Sequence, residues 1–347
     1  MTIASEITRI NNNIASAYTA CNNKGATMPA TQNSANLATT IGTISTGPQT
    51  LYGASLYTFL ADVDTNGNLY PSNTPTYLSF DGVIRLQNDA LRYSFLQNNN
   101  IKTVDFPDLY SIPGNYALSN TFNTCSNLTS ATFPNLYVIT GTYALYVAFN
   151  GCTSLTTLTF PALTGVGGGS ACRNMAVGCT SLTSISFPSL IKVNGTLAFY
   201  TAFQGCTSLS SISFPELVQI GSNTATGGNA QHFALAFDGC TSLTELRFPK
   251  LQKIYINGGT AGNNGTFANN QTIQKMYFPK LDTITYSPAY TGTSTSVTSA
   301  CKLIFYNCSS LTELHFAAAN EAAIKATAGW STLWGRGAGN ATVYFDL

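Results

Sequence analysis

The chain is 347 residues long with a formal net charge of +1, and only 8% of its residues are charged, against roughly 25% in an ordinary soluble domain. Phosphate neutralisation and polybasic anchoring both need a basic face, so nucleic-acid binding and an electrostatic membrane anchor are excluded. Hydrophobic residues make up 44%, enough for a packed core, and Ser, Thr, Asn and Gly dominate the rest, a polar but weakly charged surface that suits broad contact better than catalysis.

In chain order, the first element is a seam. Ile3, Ile7, Ile10, Ile14, Ala17 and Cys21 recur at spacings of 4, 3, 4, 3 and 4, a short heptad pattern in which Ile at both seam positions favours trimers or tetramers. Two readings stand: a coiled-coil helix that makes a homotrimer, or one amphipathic helix lying on its own chain. Met1–Tyr18 contains Glu6, Arg9 and Asn11–Asn13, without the basic start and apolar core of a secretory signal, so no export signal is expected there. No run approaches 18 apolar residues, so no membrane insertion is expected. Residues 22–50 read as loop, second helix and loop.

Residues 51–80 carry two extended runs around Thr65-Asn66-Gly67, a hairpin turn signal. Asp62, Asp64 and Asn66 also imitate the start of a calcium loop, but its twelfth position would be Asn73, where a bidentate Glu is needed. The hairpin is the expectation; these three residues are the sole metal candidate.

A repeat then takes over. Phe-Pro dipeptides begin at Phe106, Phe133, Phe160, Phe187 and Phe214, 27 residues apart, and the series continues at Phe248, Phe278 and Phe316, where Ala317 replaces Pro. Eight residues upstream runs a cysteine column: Cys125, Cys152, Cys179, Cys206, Cys240 and Cys308, with Asn98 and Asn270 in two coils. An aromatic precedes that column by three residues in every coil except at Ala176, and an aliphatic follows it by three. In Thr157-Leu158-Thr159-Phe160 the period of two predicts a strand with Leu158 and Phe160 inward, ended by Pro161. Ala-Leu pairs such as Ala117-Leu118 and Ala144-Leu145, whose Leu stands four residues before the aromatic column, predict a short helical turn on the opposite wall. Each coil alone cannot bury its apolar side, so stacked coils, one parallel strand each, form a solenoid.

The pattern F-x-x-C-x-x-L-x-x-L/I-x-F-P resembles the leucine-rich repeats of the BspA-like (Treponema pallidum type) family over residues 85–316. The resemblance implies a surface adhesin or interaction module without enzymatic activity. The N-terminal segment, less specifically, resembles attachment segments of phage and prophage tail-associated proteins. This predicts a phage tail receptor-binding protein in the virion, released by lysis, with a bacterial surface or extracellular adhesin as the alternative. The partner expected is a cell-surface glycan or protein.

The last segment reads as helix, loop and closing strand, with Val343 and Phe345 alternating with Tyr344 and Asp346, a candidate cap for the last coil. The expected fold is thus an α/β solenoid, a leucine-rich repeat of about eight coils with short parallel strands on one face. Its parts are an attachment segment (1–45, helical), a hairpin linker and N-cap (46–84), the solenoid (85–316) and a helix–strand cap (317–347). Trp330 and Trp334 are read as cap core.

Catalytic chemistry is thin. The only histidines are His232, read as lying in a repeat insertion, and His315, on an outward strand position without a Ser and Asp pair among its column neighbours. No zinc motif or phosphate loop is present, and Glu245, Glu313, Asp238 and Asp282 are scattered over different coils. No cofactor is expected. The cysteine column stands within nominal disulfide reach between coils, but small buried thiols fit a core column, and free thiols are the expectation. Two outward strand columns are nearly all Ser and Thr in the early coils and become Glu245, Lys275, Glu313 and Arg247, Tyr277, His315 in the late ones. The insertions fall there too, rich in Ser, Thr, Gly and Asn with Tyr255, Tyr286 and Tyr290 in or beside them. That mix suits a paratope, or the loops are tolerated surface insertions. The ligand-binding candidates are Arg247, Tyr255, Lys275, Tyr277, Tyr286, Tyr290 and His315.

Overall fold

The computed structural model describes residues 49–51, 76–80, 82–223, 231–256, 265–286, 304–327 and 341–347. The isoleucine seam, the hairpin with Asp62, Asp64 and Asn66, Tyr290, both Trp residues and most of the three insertions lie outside the described residues, as does the side chain of Tyr286. The chain divides into two units, Met1–Gln49 and Thr50–Leu347, and the second contains the repeats.

The repeats form a solenoid of parallel strands with very little helix. Its strands are β1 (Gln49–Leu51), β2 (Tyr77–Ser79), β3 (Val83–Leu86), β4 (Thr103–Asp105), β5 (Ser111–Ile112), β6 (Ser130–Thr132), β7 (Val138–Ile139), β8 (Thr157–Thr159), β9 (Gly165–Val166) and β10 (Ser184–Ser186). They continue as β11 (Lys192–Val193), β12 (Ser211–Ser213), β13 (Gln219–Ile220), β14 (Glu245–Arg247), β15 (Lys253–Ile256), β16 (Lys275–Phe278), β17 (Thr283–Tyr286), β18 (Glu313–Phe316) and β19 (Thr342–Phe345). Even-numbered strands and β19 make the front sheet, and the odd-numbered strands β1 to β17 make a second sheet of nine strands. Residues one coil apart pair in register, as Ala131 with Leu158 and Val193 with Ile220.

The predicted single strand per coil is therefore one of two. Its partner follows the Phe-Pro turn: Leu136 and Ile139, or Leu217 and Ile220, are fully buried three residues apart. A two-residue strand shows too little alternation to be read from its sequence.

The predicted helical turns are also replaced. On that wall every fourth residue takes a left-handed φ, as Asp89 (55°), Tyr93 (60°) and Gln97 (58°) do, and one coil on Tyr116, Asn120 and Thr124. Successive amides then alternate. Arg92, Ser94 and Leu96 N–H donate to the carbonyls of Asp89, Leu91 and Tyr93, whereas Leu91, Tyr93 and Phe95 N–H donate to Ala117, Ser119 and Thr121 of the next coil. A helix satisfies its amides within itself; these stacked turns spend half of theirs joining coils, which offsets the cost of the left-handed residues.

The core is a set of columns. Phe106, Phe133, Phe160, Phe187 and Phe214 stack with centroids 4.9, 5.0, 5.6 and 5.3 Å apart, each stacked pair adding about 0.5–1.5 kcal/mol beyond area burial. The thiols of Cys125, Cys152 and Cys179 donate to the carbonyls of Phe95, Phe122 and Phe149 one coil back, at 3.0–3.1 Å. All seven described cysteines are buried and free, and burial pushes the Cys125 thiol up to about 12. Asn270 substitutes for a thiol by accepting from Phe237 N–H and donating to the carbonyls of Phe233 and Phe267.

After β18 the chain makes a 3-10 turn at Ala318–Asn320 and a short helix, α1 (Glu321–Lys325), with Ile324 buried. β19 then pairs in parallel with β18.

Candidate binding surface

The front sheet presents two outward columns, and register decides what meets what. In one, Glu245 stands beside Lys275 and Lys275 beside Glu313; in the other, Arg247, Tyr277, His315 and Tyr344 follow in succession. Parallel pairing at about 4.8 Å per strand leaves planar side chains room only to stack. The Arg247 guanidinium lies 3.8 Å from the Tyr277 ring centroid. The Tyr277 and His315 rings are 4.6 Å apart, and His315 and Tyr344 4.7 Å apart, all within 14° of parallel.

Charges knit the two columns together. Arg247 donates to Glu245 through Nε at 2.9 Å and a terminal nitrogen at 3.2 Å, and this contact holds the guanidinium pKa above its ordinary value. Lys275 Nζ meets Glu313 Oε1 at 2.9 Å. That contact, followed by the one to His315, holds the Glu313 carboxyl below its usual range. His315 faces Glu313 Oε2 through Nε2 at 3.0 Å and Asp346 Oδ1 through Nδ1 at 2.9 Å. Two carboxylates thus flank His315, which is nearly buried, although its column neighbours are Tyr277 and Tyr344. Asp346 comes to it only through the pairing of β19 with β18.

The structure brings Arg247, Lys275, Tyr277 and His315 together and separates Tyr255 from them. Tyr255 lies on β15 and the Tyr286 backbone ends β17, both in the second sheet. Glu245, Glu313, Tyr344 and Asp346 join the surface without having been among the site candidates. The signal for Glu245 and Glu313 lay in the outward column that also holds Lys275, and that for Tyr344 and Asp346 in the two-residue alternation of Val343 and Phe345, once the last strand is placed in register with β18.

Chemically, the surface offers ring edges, hydroxyls and charges, and neighbours cover both ring faces of Tyr277 and His315. Its ion pairs are largely exposed, Arg247 at 58% and Glu245 at 46%. Such pairs are worth roughly 0–1 kcal/mol, so they exchange readily for the charges of a partner. Among the described residues no group of three His, Cys, Asp or Glu could hold a metal ion.

The other histidine is misplaced by the sequence reading. His232 is not in the insertion but in the repeat's alanine column, fully buried, with Phe199 N–H donating to its carbonyl. Its Nδ1 lies 2.8 Å from the Gly195 carbonyl oxygen, and Nε2 has no hydrogen-bond partner among the described residues. Burial lowers its pKa to about 4.

The BspA type leucine rich repeat region model matches residues 91–202, 119–235, 177–293 and 230–320, in six copies. No curated protein matches the chain. Among solved structures, the chain is similar to a Treponema pallidum leucine-rich repeat protein (15% identity, 62% of this chain and 76% of that one, TM-score 0.30). It is also similar to one from Bacteroides ovatus (18%, 73% and 72%, TM-score 0.23). A leucine-rich cell surface protein from Faecalibacterium prausnitzii matches at 12% identity over 77% of this chain and 95% of that one, with a TM-score of 0.23. No helix among the described residues is long and apolar enough to cross a membrane.

Proposed function

The chain belongs to the BspA-type leucine-rich repeat family, and from that premise we propose that it is a non-enzymatic protein-interaction module of the bacterial surface or extracellular space. Its recognition surface is the outward face of β14, β16, β18 and β19. The carrying observation is the ladder Arg247–Tyr277–His315–Tyr344 with its flanking charge pairs. Earlier coils present nearly uniform hydroxyls, and a uniform surface discriminates poorly, whereas this one has fixed order, both signs of charge and aromatic edges. The partner it suits is a cell-surface protein with charged side chains, because the surface carries charges of both signs and the faces of the Tyr277 and His315 rings are covered. Family membership favours this bacterial surface reading over the phage-tail one, which rests on residues 1–45 alone.

Retention of labelled full-length protein on a panel of bacterial and epithelial cells, at low and high salt, tests the reading. At least one surface retains the chain, and more weakly at high salt, since exposed charges are screened. Retention on no surface, or retention indifferent to salt, contradicts it.

A further inference from the structure

The front sheet is interrupted twice. No ladder joins β8 to β10 or β12 to β14, so its strands fall into three groups. Intact pairs are flanked by further bonds, such as Thr156 N–H to Thr129 O at 2.9 Å and Phe133 N–H to Thr159 O at 3.1 Å. Neither break has a counterpart of these among the described residues. A crevice of about 320 Å³ opens over the first break and one of about 270 Å³ over the second. Their floors are Ile185 and Ile212, 4% and 8% exposed, where the equivalent Val104, Ala131 and Leu158 are at most 1%.

We propose that the crevice between β8 and β10 is a binding site for a neutral oligosaccharide, independent of the charged surface of the last coils. Three features converge on that chemistry. Unjoined strand edges offer both amide donors and carbonyl acceptors, and each needs a partner. The outward side chains of β8, β10 and β12 are all Ser or Thr, which donate and accept alike. The floor is apolar, which suits the C–H face of a sugar ring. No ionised side chain lines this crevice, so it holds no counter-charge for an acidic ligand. An inserted peptide strand needs its two neighbours about 9.6 Å apart, two strand spacings. Cα atoms across the break remain within 8 Å of each other, so a strand does not fit, whereas sugar hydroxyls reach single backbone groups from above.

The test is an array of neutral glucan, mannan, galactan and N-acetylglucosamine oligomers, with acidic oligosaccharides and strand-forming peptides alongside, probed with the full-length chain. Wild type retains at least one neutral class. The pair Ser184→Val and Ser186→Val, which keeps a strand-compatible shape, weakens it about tenfold or more, and Tyr277→Ala leaves it unchanged. Melting is checked by circular dichroism; if the pair lowers it, Thr157→Val with Thr159→Val on the opposite lip takes its place. Retention of only acidic sugars or peptides, of nothing, or of a neutral sugar indifferent to both pairs or lost with Tyr277→Ala, overturns the proposal.

Discussion

The imidazole of His315 lies flat against the ring of Tyr277 one coil earlier, with centroids 4.6 Å apart and planes 14° from parallel. The contact follows from register alone, since Tyr277 and His315 are direct partners in the parallel pairing of β16 and β18. The same logic of identical positions meeting one coil apart governs the core, the turns and the surface, and it makes the consequences of substitution calculable.

Glycine supplies the sharpest case. A Cβ on Gly168 would lie 2.0 Å from the Gly141 carbonyl oxygen, and one on Gly195 would lie 2.0 Å from that of Gly168. Gly178 has φ +70° but open space around a Cβ. Gly168→Ala should cost about 3 kcal/mol or more, or prevent folding, whereas Gly178→Ala should cost about 1–2 kcal/mol of backbone strain. Urea unfolding distinguishes them, and equal effects would refute the close approach of coils.

His232 makes stability depend on pH. Its native pKa is about 4, against an ordinary 6.5, so between those values the unfolded chain binds a proton that the native chain refuses. Stability is therefore full above about pH 6.5 and falls as the pH drops towards 4, by up to about 1.4 kcal/mol per pH unit. Denaturant titrations at pH 7 and 4.5 should show a larger difference for wild type than for His232→Ala, which restores the column's usual residue. The same difference in both proteins would exclude this origin.

The thiol column predicts inertness. Cys152 and Cys179 are fully buried, and their pKa values are raised well above the ordinary one, by burial for Cys152 and, for Cys179, by a contact with Cys206 and then burial. Peptide mapping after iodoacetamide treatment at neutral pH should find both unmodified in native protein and alkylated after unfolding, with no disulfide between them. Modification of the native protein, or a cross-link, would contradict a core role.

The isoleucine seam predicts association. We expect light scattering to report a trimer for the full chain and a monomer for a chain beginning at Leu51. Equal monomer masses would remove the seam's role.

Much of this architecture was legible because repetition amplifies weak signals. One Phe-Pro dipeptide says little, but eight aligned anchors fix the coil, its inward Leu158 and Phe160, and the buried cysteine column. Two features escaped. The second sheet is carried by strands as short as Val138–Ile139, which have no measurable period. The stacked turns look helical because Ala117, Leu118 and Phe122 share helical spacing. Only the left-handed φ of Tyr116 and Asn120, at residues with no glycine to announce it, separates the two. At the surface, Arg247, Lys275, Tyr277 and His315 were readable as one diverse stretch of two columns. Their separation from Tyr255 was not, since it depends on that second sheet, and the approach of Asp346 to His315 depends on where a strand far along the chain docks.

The most direct measurement takes the cell surface that best retains the wild-type chain and compares three proteins on it: wild type, Arg247→Ala with Tyr277→Ala, and Tyr255→Ala. Recognition by the front ladder predicts about a tenfold or greater loss of affinity for the double substitution, equivalent to about 1.4 kcal/mol, and wild-type affinity for Tyr255→Ala. Undiminished binding by the double variant, or loss with Tyr255→Ala instead, would contradict recognition by that face.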